Sequence, residues 1–186
     1  MHAFANVASV KVDGGPPTGR AAEALNAQLP PDLAVVAAEE VPPDFHARHS
    51  ATARAYRYRI LRRRERSAFE ERRSWWFARP IEEDSLAESA DLLLGEHDFR
   101  AFTPGETQHK SFVRNVKHAA WHRQGDVLEF EIEANSFLRH MVRTLVGTMV
   151  ERRSEELETL LAGGRSRADA GSTAPPWGLY LERVQY

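Results

Sequence analysis

Tyr56 lies in the run Arg54-Ala55-Tyr56-Arg57-Tyr58-Arg59, where aromatic and cationic side chains alternate. Aromatic rings stack on nucleobases, and guanidiniums between them grip the adjoining backbone. The same alternation describes an amphipathic strand whose tyrosines face a core, so the residues alone leave both readings open. Arg139, His140, Arg143 and Thr144 form a second polar set inside a strongly apolar run. At helical spacing they are either a solvated face or a cationic pair, one turn apart, aimed at phosphate or carboxylate. Arg143 is flanked by Val142 and Leu145, and a buried arginine calls for a carboxylate partner. The histidines suggest no metal site: His46 and His49 are three apart with no supporting ligands. Gly14-Gly15 and Gly163-Gly164 lack the spacing of a phosphate loop.

Charge is distributed unevenly. Of 25 basic residues 22 are Arg, and the net charge is only -2. Codon bias in a GC-rich genome accounts for part of that excess, but not for its position. Between Arg48 and Arg79 there are eleven Arg against three acids, Glu65, Glu70 and Glu71. A local surplus of this kind suits a polyanion. The chain has 186 residues, 42% of them hydrophobic, and no cysteine. These values exclude a disordered chain, disulfides and thiolate catalysis. No apolar run is long enough to span a membrane and no signal peptide is visible, which suggests the cytoplasm.

Several elements must position these residues. Residues 55–61 alternate as a strand, with Tyr56, Tyr58 and Ile60 on one face and Arg57, Arg59 and Leu61 on the other. Residues 82–94 read as a helix ended by Gly95. Strands follow over 112–121 and 127–134, joined by Gln124-Gly125-Asp126, with Leu128, Phe130 and Ile132 inward and Glu129, Glu131 and Glu133 outward. Phe137, Met141, Leu145 and Met149, beside Leu138, Val142, Val146 and Val150, predict one broad-faced helix capped by Asn135 or Ser136. A short helix over 154–162, a loop over 166–177 and a strand over 179–186 complete the order. The fold class is α+β. The pattern predicts a complete ferredoxin-like, split βαβ antiparallel-sheet domain over 48–186. Residues 1–47 predict strands over 4–12 and 33–41 around a helix over 18–29, the back half of a second such domain.

Four segments carry a family resemblance. The run Asp44-Phe45-His46-Ala47-Arg48-His49-Ser50-Ala51-Thr52-Ala53-Arg54-Ala55-Tyr56-Arg57-Tyr58 resembles the central motif of the tRNA pseudouridine synthase A (TruA) family. Leu94-Gly95-Glu96-His97-Asp98-Phe99, the run Asn135 to Gly147, and Ala174 to Tyr186 resemble further family segments in the same order. The resemblance implies isomerisation of uridine to pseudouridine in the tRNA anticodon stem-loop, by a homodimer, without cofactor or metal. It implies that Tyr56 stacks on the flipped base and assists proton removal at C5. It also implies that Arg143 pairs with the nucleophilic Asp and that Arg48, Arg54 and Arg57 hold phosphates.

That Asp belongs to the family motif R-T-D-x-G-V-H-A, of which Met1-His2-Ala3 matches only the end. The expectation is therefore a chain cut just after its nucleophile, with the true start upstream; Asp13 does not match. The segment Glu151-Arg152-Arg153 is shorter than the family's usual glycine-containing loop. The competing reading is a catalytically inactive RNA-binding fragment that uses the Arg-rich sheet face. A metabolic ferredoxin-like domain is the third.

Overall fold

The structure, a computed structural model, describes residues 2–107 and 109–186. In chain order its elements are β1 (His2–Ala3), α1 (Thr18–Asn26), β2 (Ala53–Leu61), β3 (Trp75–Trp76), α2 (Glu83–Leu92), β4 (Gly95–Asp98), β5 (Val113–Gln124), β6 (Val127–Ala134), α3 (Met141–Glu151), α4 (Ser154–Leu161) and β7 (Leu179–Gln185). The chain divides into two compact units, Met1–Asn6 with Thr52–Tyr186, and Val7–Ala51.

The larger unit is α+β with one mixed sheet, in the order β1-β7-β2-β6-β5-β4, and β3 beside β2. The long strands pair antiparallel. The two-residue strands β1 and β3 pair parallel with β7 and β2, so the sheet is not purely antiparallel. Gly125, at φ 58°, is the first central residue of the two-residue β5–β6 turn, where a hairpin favours glycine.

The alternation read from sequence sorts the two faces. Tyr58, Ile60, Leu128, Phe130 and Ile132 are buried in the core, together with Leu86 of α2 and Leu93 just after it, Met141, Leu145 and Met149 of α3, and Leu157 of α4. Glu129, Arg57 and Arg59 lie on the opposite face and bond to one another.

One helix starts later than its pattern predicts. α3 begins at Met141, not at Phe137, and His140 before it adopts φ 63°. A left-handed residue cannot continue a right-handed helix. Neither Asn135 nor Ser136 caps α3. The Asn135 side-chain oxygen instead accepts from the N–H groups of Ser136 (2.8 Å) and Asn115 (3.1 Å) as the chain leaves β6. Phe137 and Leu138 still pack on the core, which is why the helical period runs on through a non-helical turn.

In the smaller unit, α1 matches the expected helix in position, but the strands expected over 4–12 and 33–41 are not formed. No residue from 7 to 51 is buried. Val10, Val12, Leu33 and Val36 are all exposed. Alternation marks a segment as suitable for a sheet, but only a paired neighbour makes it a strand. The Asn26 side chain supplies a substitute here. It accepts from the Val35 N–H (2.7 Å) and donates to the Val35 carbonyl (2.9 Å).

Candidate active site

Tyr56 and Tyr58 both point to the helix-covered side of β2. Tyr56 is half-buried, with its ring edge-on to Phe137 at 4.9 Å. Burial raises its phenol pKa, and the nearby Arg54 charge partly offsets that rise. The phenol is therefore neutral at physiological pH. Arg54 donates to the Asn135 carbonyl (3.4 Å), so it sits at the same end of the sheet as the chain's exit from β6.

Tyr58, one inward position further along, is fully buried. Its hydroxyl donates to the Pro175 carbonyl at 2.7 Å. Burial pushes its pKa strongly upward, against a smaller lowering effect of Arg143. Arg143 therefore stands beside Tyr58, on the same side of the sheet as Tyr56.

Arg143 is held by the neighbouring carbonyl in the loop before β7. Its Nε donates to the Ala174 carbonyl (2.7 Å), and the Ala174 N–H donates back to the Arg143 carbonyl (3.0 Å). Among the described residues no carboxylate lies within ion-pair distance of it. Burial lowers its pKa, and the nearby Tyr58 partly opposes this. A half-buried guanidinium in this state favours any anion brought beside it.

The loop that orients Arg143 is fastened along α3. The Gly171 N–H donates to Thr148 Oγ1 (3.0 Å), which donates to the Thr144 carbonyl (2.7 Å). Thr144 and Thr173 share a hydroxyl contact of 3.2 Å. Thr144 is thus buried and structural, whereas Arg139 and His140 are exposed. Gly147 lets the loop approach: a Cβ there would lie 1.8 Å from the Ser172 carbonyl oxygen. Gly178 does the same beside Tyr58, whose ring carbon would lie 2.8 Å from an added Cβ. Sequence reasoning missed Tyr58, Thr148 and the Ala174–Pro175 carbonyls as parts of the site. The only hint was the glycines, since these contacts join positions up to 117 residues apart.

The remaining arginines are dispersed. Arg57 faces the other side of the sheet, where it donates to Glu182 (2.8 Å) and Glu129 (3.1 Å). Burial alone would lower its pKa, but those two carboxylates outweigh burial and raise it. Arg48 belongs to the smaller unit and is exposed, in a turn where its N–H donates to His46 Nδ1 (3.1 Å). The structure therefore brings Tyr56, Arg54 and Arg143 to one side of one sheet and leaves Arg57 on the other.

The register also aligns β1 with this site. Ala3 is level with Leu181, and Leu181 is level with Tyr56. The His2-Ala3 end of the sequence motif thus shares a row of the sheet with the tyrosine of the central motif.

A family model described as tRNA pseudouridine synthase matches residues 89–186, which include Arg143 and its loop. The chain is 42% identical over its whole length to tRNA pseudouridine synthase A of Moorella thermoacetica, of which it covers 77%. The chain belongs to the tRNA pseudouridine synthase family. It is also 42% identical to the tRNA pseudouridine synthase A of Rhodopseudomonas palustris, with 100% of the chain and 78% of that relative covered. With that of Halalkalibacterium halodurans identity is 41%, over 90% of the chain and 65% of the relative. Among the described residues no helix of this pseudouridine synthase chain is long and apolar enough to cross a membrane.

Proposed function

We propose that this chain is a tRNA pseudouridine synthase, an isomerase that converts uridine to pseudouridine in the anticodon stem-loop of tRNA, working in the cytoplasm as a homodimer. The observation that carries the reading is Arg143, half-buried, oriented by the Ala174 carbonyl and without a carboxylate among the described residues. The larger unit's four long strands lie in the order β7-β2-β6-β5 with α2 and α3 between them in sequence. That order supports a ferredoxin-like plan for 48–186, with 1–47 as part of a second, similar half.

The reaction balances without redox. The N1–C1′ bond breaks, a C5–C1′ bond forms, C5 loses a proton and N1 gains one. The base must leave the stack before its C5 edge can turn toward the sugar. Tyr56 provides the stacking surface. Its phenol, kept neutral by burial, serves as a hydrogen-bonding group at the C5 proton rather than as a phenolate. Arg143 holds a carboxylate nucleophile ionised beside it. No aspartate in these 186 residues matches the family's nucleophile motif, whose His-Ala end is His2-Ala3. The row shared by Ala3 and Tyr56 puts the His-Ala end of that motif level with the stacking tyrosine. Arg48 and Arg54 contact phosphates. Arg57, enclosed by Glu129 and Glu182, is better placed to hold the sheet together than to grip RNA.

Tritium release from unmodified tRNA labelled at uridine C5 tests this, in a chain carrying R-T-D-x-G ahead of Met1. Turnover is expected there. Tyr56→Phe should keep tRNA affinity and lose turnover, and Arg143→Ala should lose turnover. Full activity in either variant removes the role given to that residue. Turnover by the 186 residues alone would show that the motif aspartate is not the nucleophile. Affinity without turnover in the longer chain would favour the RNA-binding reading.

A further inference from the structure

We propose that His118, His122 and Glu131 form a binding site for a first-row divalent cation, zinc in particular, on the outer face of the sheet. Residues 118, 120 and 122 point to the same side of β5. Ala120, between the two histidines on that side, pairs with Glu131 on β6, which brings the carboxylate level with the gap between the imidazoles. One ligand atom from each of the three side chains lies within 4.8 Å of the others. His122 Nε2 and Glu131 Oε2 are already 3.9 Å apart.

Zinc bonds of about 2.0–2.1 Å place tetrahedral ligand atoms roughly 3.3 Å from one another. Closing that difference needs only side-chain rotation, and these side chains are free to rotate: His122 is 58% and Glu131 46% exposed.

Charge selects the same place. β6 presents three acids to this face. Glu129 is taken by Arg57 and Arg59, and Glu133 by Arg183. Among the described residues Glu131, between them, meets no arginine within ion-pair distance, only His122. Its charge remains available to a cation.

Two imidazoles and one carboxylate suit zinc, nickel or copper, whereas calcium and magnesium take oxygen ligands. Three protein ligands leave a fourth position for water. The site is on the face of the sheet opposite Tyr56 and Arg143, so it serves to clasp β5 to β6 rather than to act in the isomerisation.

The test is calorimetric titration of the purified, tag-free chain with zinc chloride, paired with thermal unfolding. One equivalent should bind and raise the midpoint, because the ion favours the folded state. His118→Ala and His122→Ala should each weaken binding by more than about tenfold, since even changes in outer-shell partners cost roughly 10- to 100-fold. Glu131→Gln should weaken it as well. The pair His46→Ala with His49→Ala should leave it intact. These positions are exposed, and far-UV circular dichroism reports whether each variant folds. No heat or midpoint shift with zinc, affinity unchanged in His122→Ala, or an equal response to calcium would each overturn the proposal.

Discussion

Tyr58 and Arg143 bond to successive carbonyls, those of Pro175 and Ala174. The fully buried tyrosine fixes the segment that orients the arginine. Tyr58→Phe leaves the buried Pro175 carbonyl without its donor and should cost about 1–3 kcal/mol at pH 8. The same substitution should change the alkaline limb of stability. The folded-state pKa of Tyr58 is raised well above its unfolded value. The folded chain therefore keeps a proton that the unfolded chain loses. The contribution is fully present below about pH 10 and falls as pH rises beyond it toward the folded-state value. Urea midpoints at pH 8 and 10.5 should drop more steeply for the parent chain than for Tyr58→Phe. Equal slopes would mean that the phenol is not held neutral by the core.

At the scale of elements, α3 and the loop beside it behave as one part. Gly147→Ala would put a methyl 1.8 Å from the Ser172 carbonyl oxygen, which must move. Backbone overpacking of this kind should cost about 3 kcal/mol or more and shift the Ala174 carbonyl away from Arg143. Chemical denaturation reads the first effect. Turnover in a chain carrying the nucleophile motif reads the second, and unaltered values in both would show that the loop is not clamped by this glycine.

This junction also shows what sequence can reveal. The strand that carries Tyr56, and its inward and outward faces, follow from alternation. The buried row of α3 follows from four-residue spacing. The start of α3 does not, because Phe137 and Leu138 keep the period while the backbone turns through His140. Arg143 was legible as a cation among apolar residues. Its partner, the Ala174 carbonyl, was not, because a backbone oxygen 31 residues away has no sequence signature. The expected strands near the N-terminus had the right pattern but no ladder to join.

At the scale of the whole molecule, the two units differ in how they are held. The larger one has a continuous core, and Val7–Ala51 has no buried residue. Protection against amide hydrogen exchange follows the cost of local opening. Amides of α1 should exchange within the earliest time points, while those of α3 and β6 should be protected almost to the limit of global unfolding. Exchange mass spectrometry on the intact chain measures both, and equal protection would show that the smaller unit shares the stability of the larger.

The glutamates on the outer face bear on how this arginine-rich protein would respond to salt. An arginine already bonded to a carboxylate displaces no sodium from an RNA phosphate unless the pair first breaks. Arg57 and Arg59 are held in this way by Glu129, Glu182 and Glu70. RNA affinity plotted against salt on logarithmic axes should therefore fall with a shallower slope than eleven arginines between Arg48 and Arg79 imply. Glu129→Gln should leave the slope close to the parent's, because Arg57 keeps Glu182 and Arg59 keeps Glu70 on the face opposite Tyr56; a steeper slope would show that RNA reaches this face.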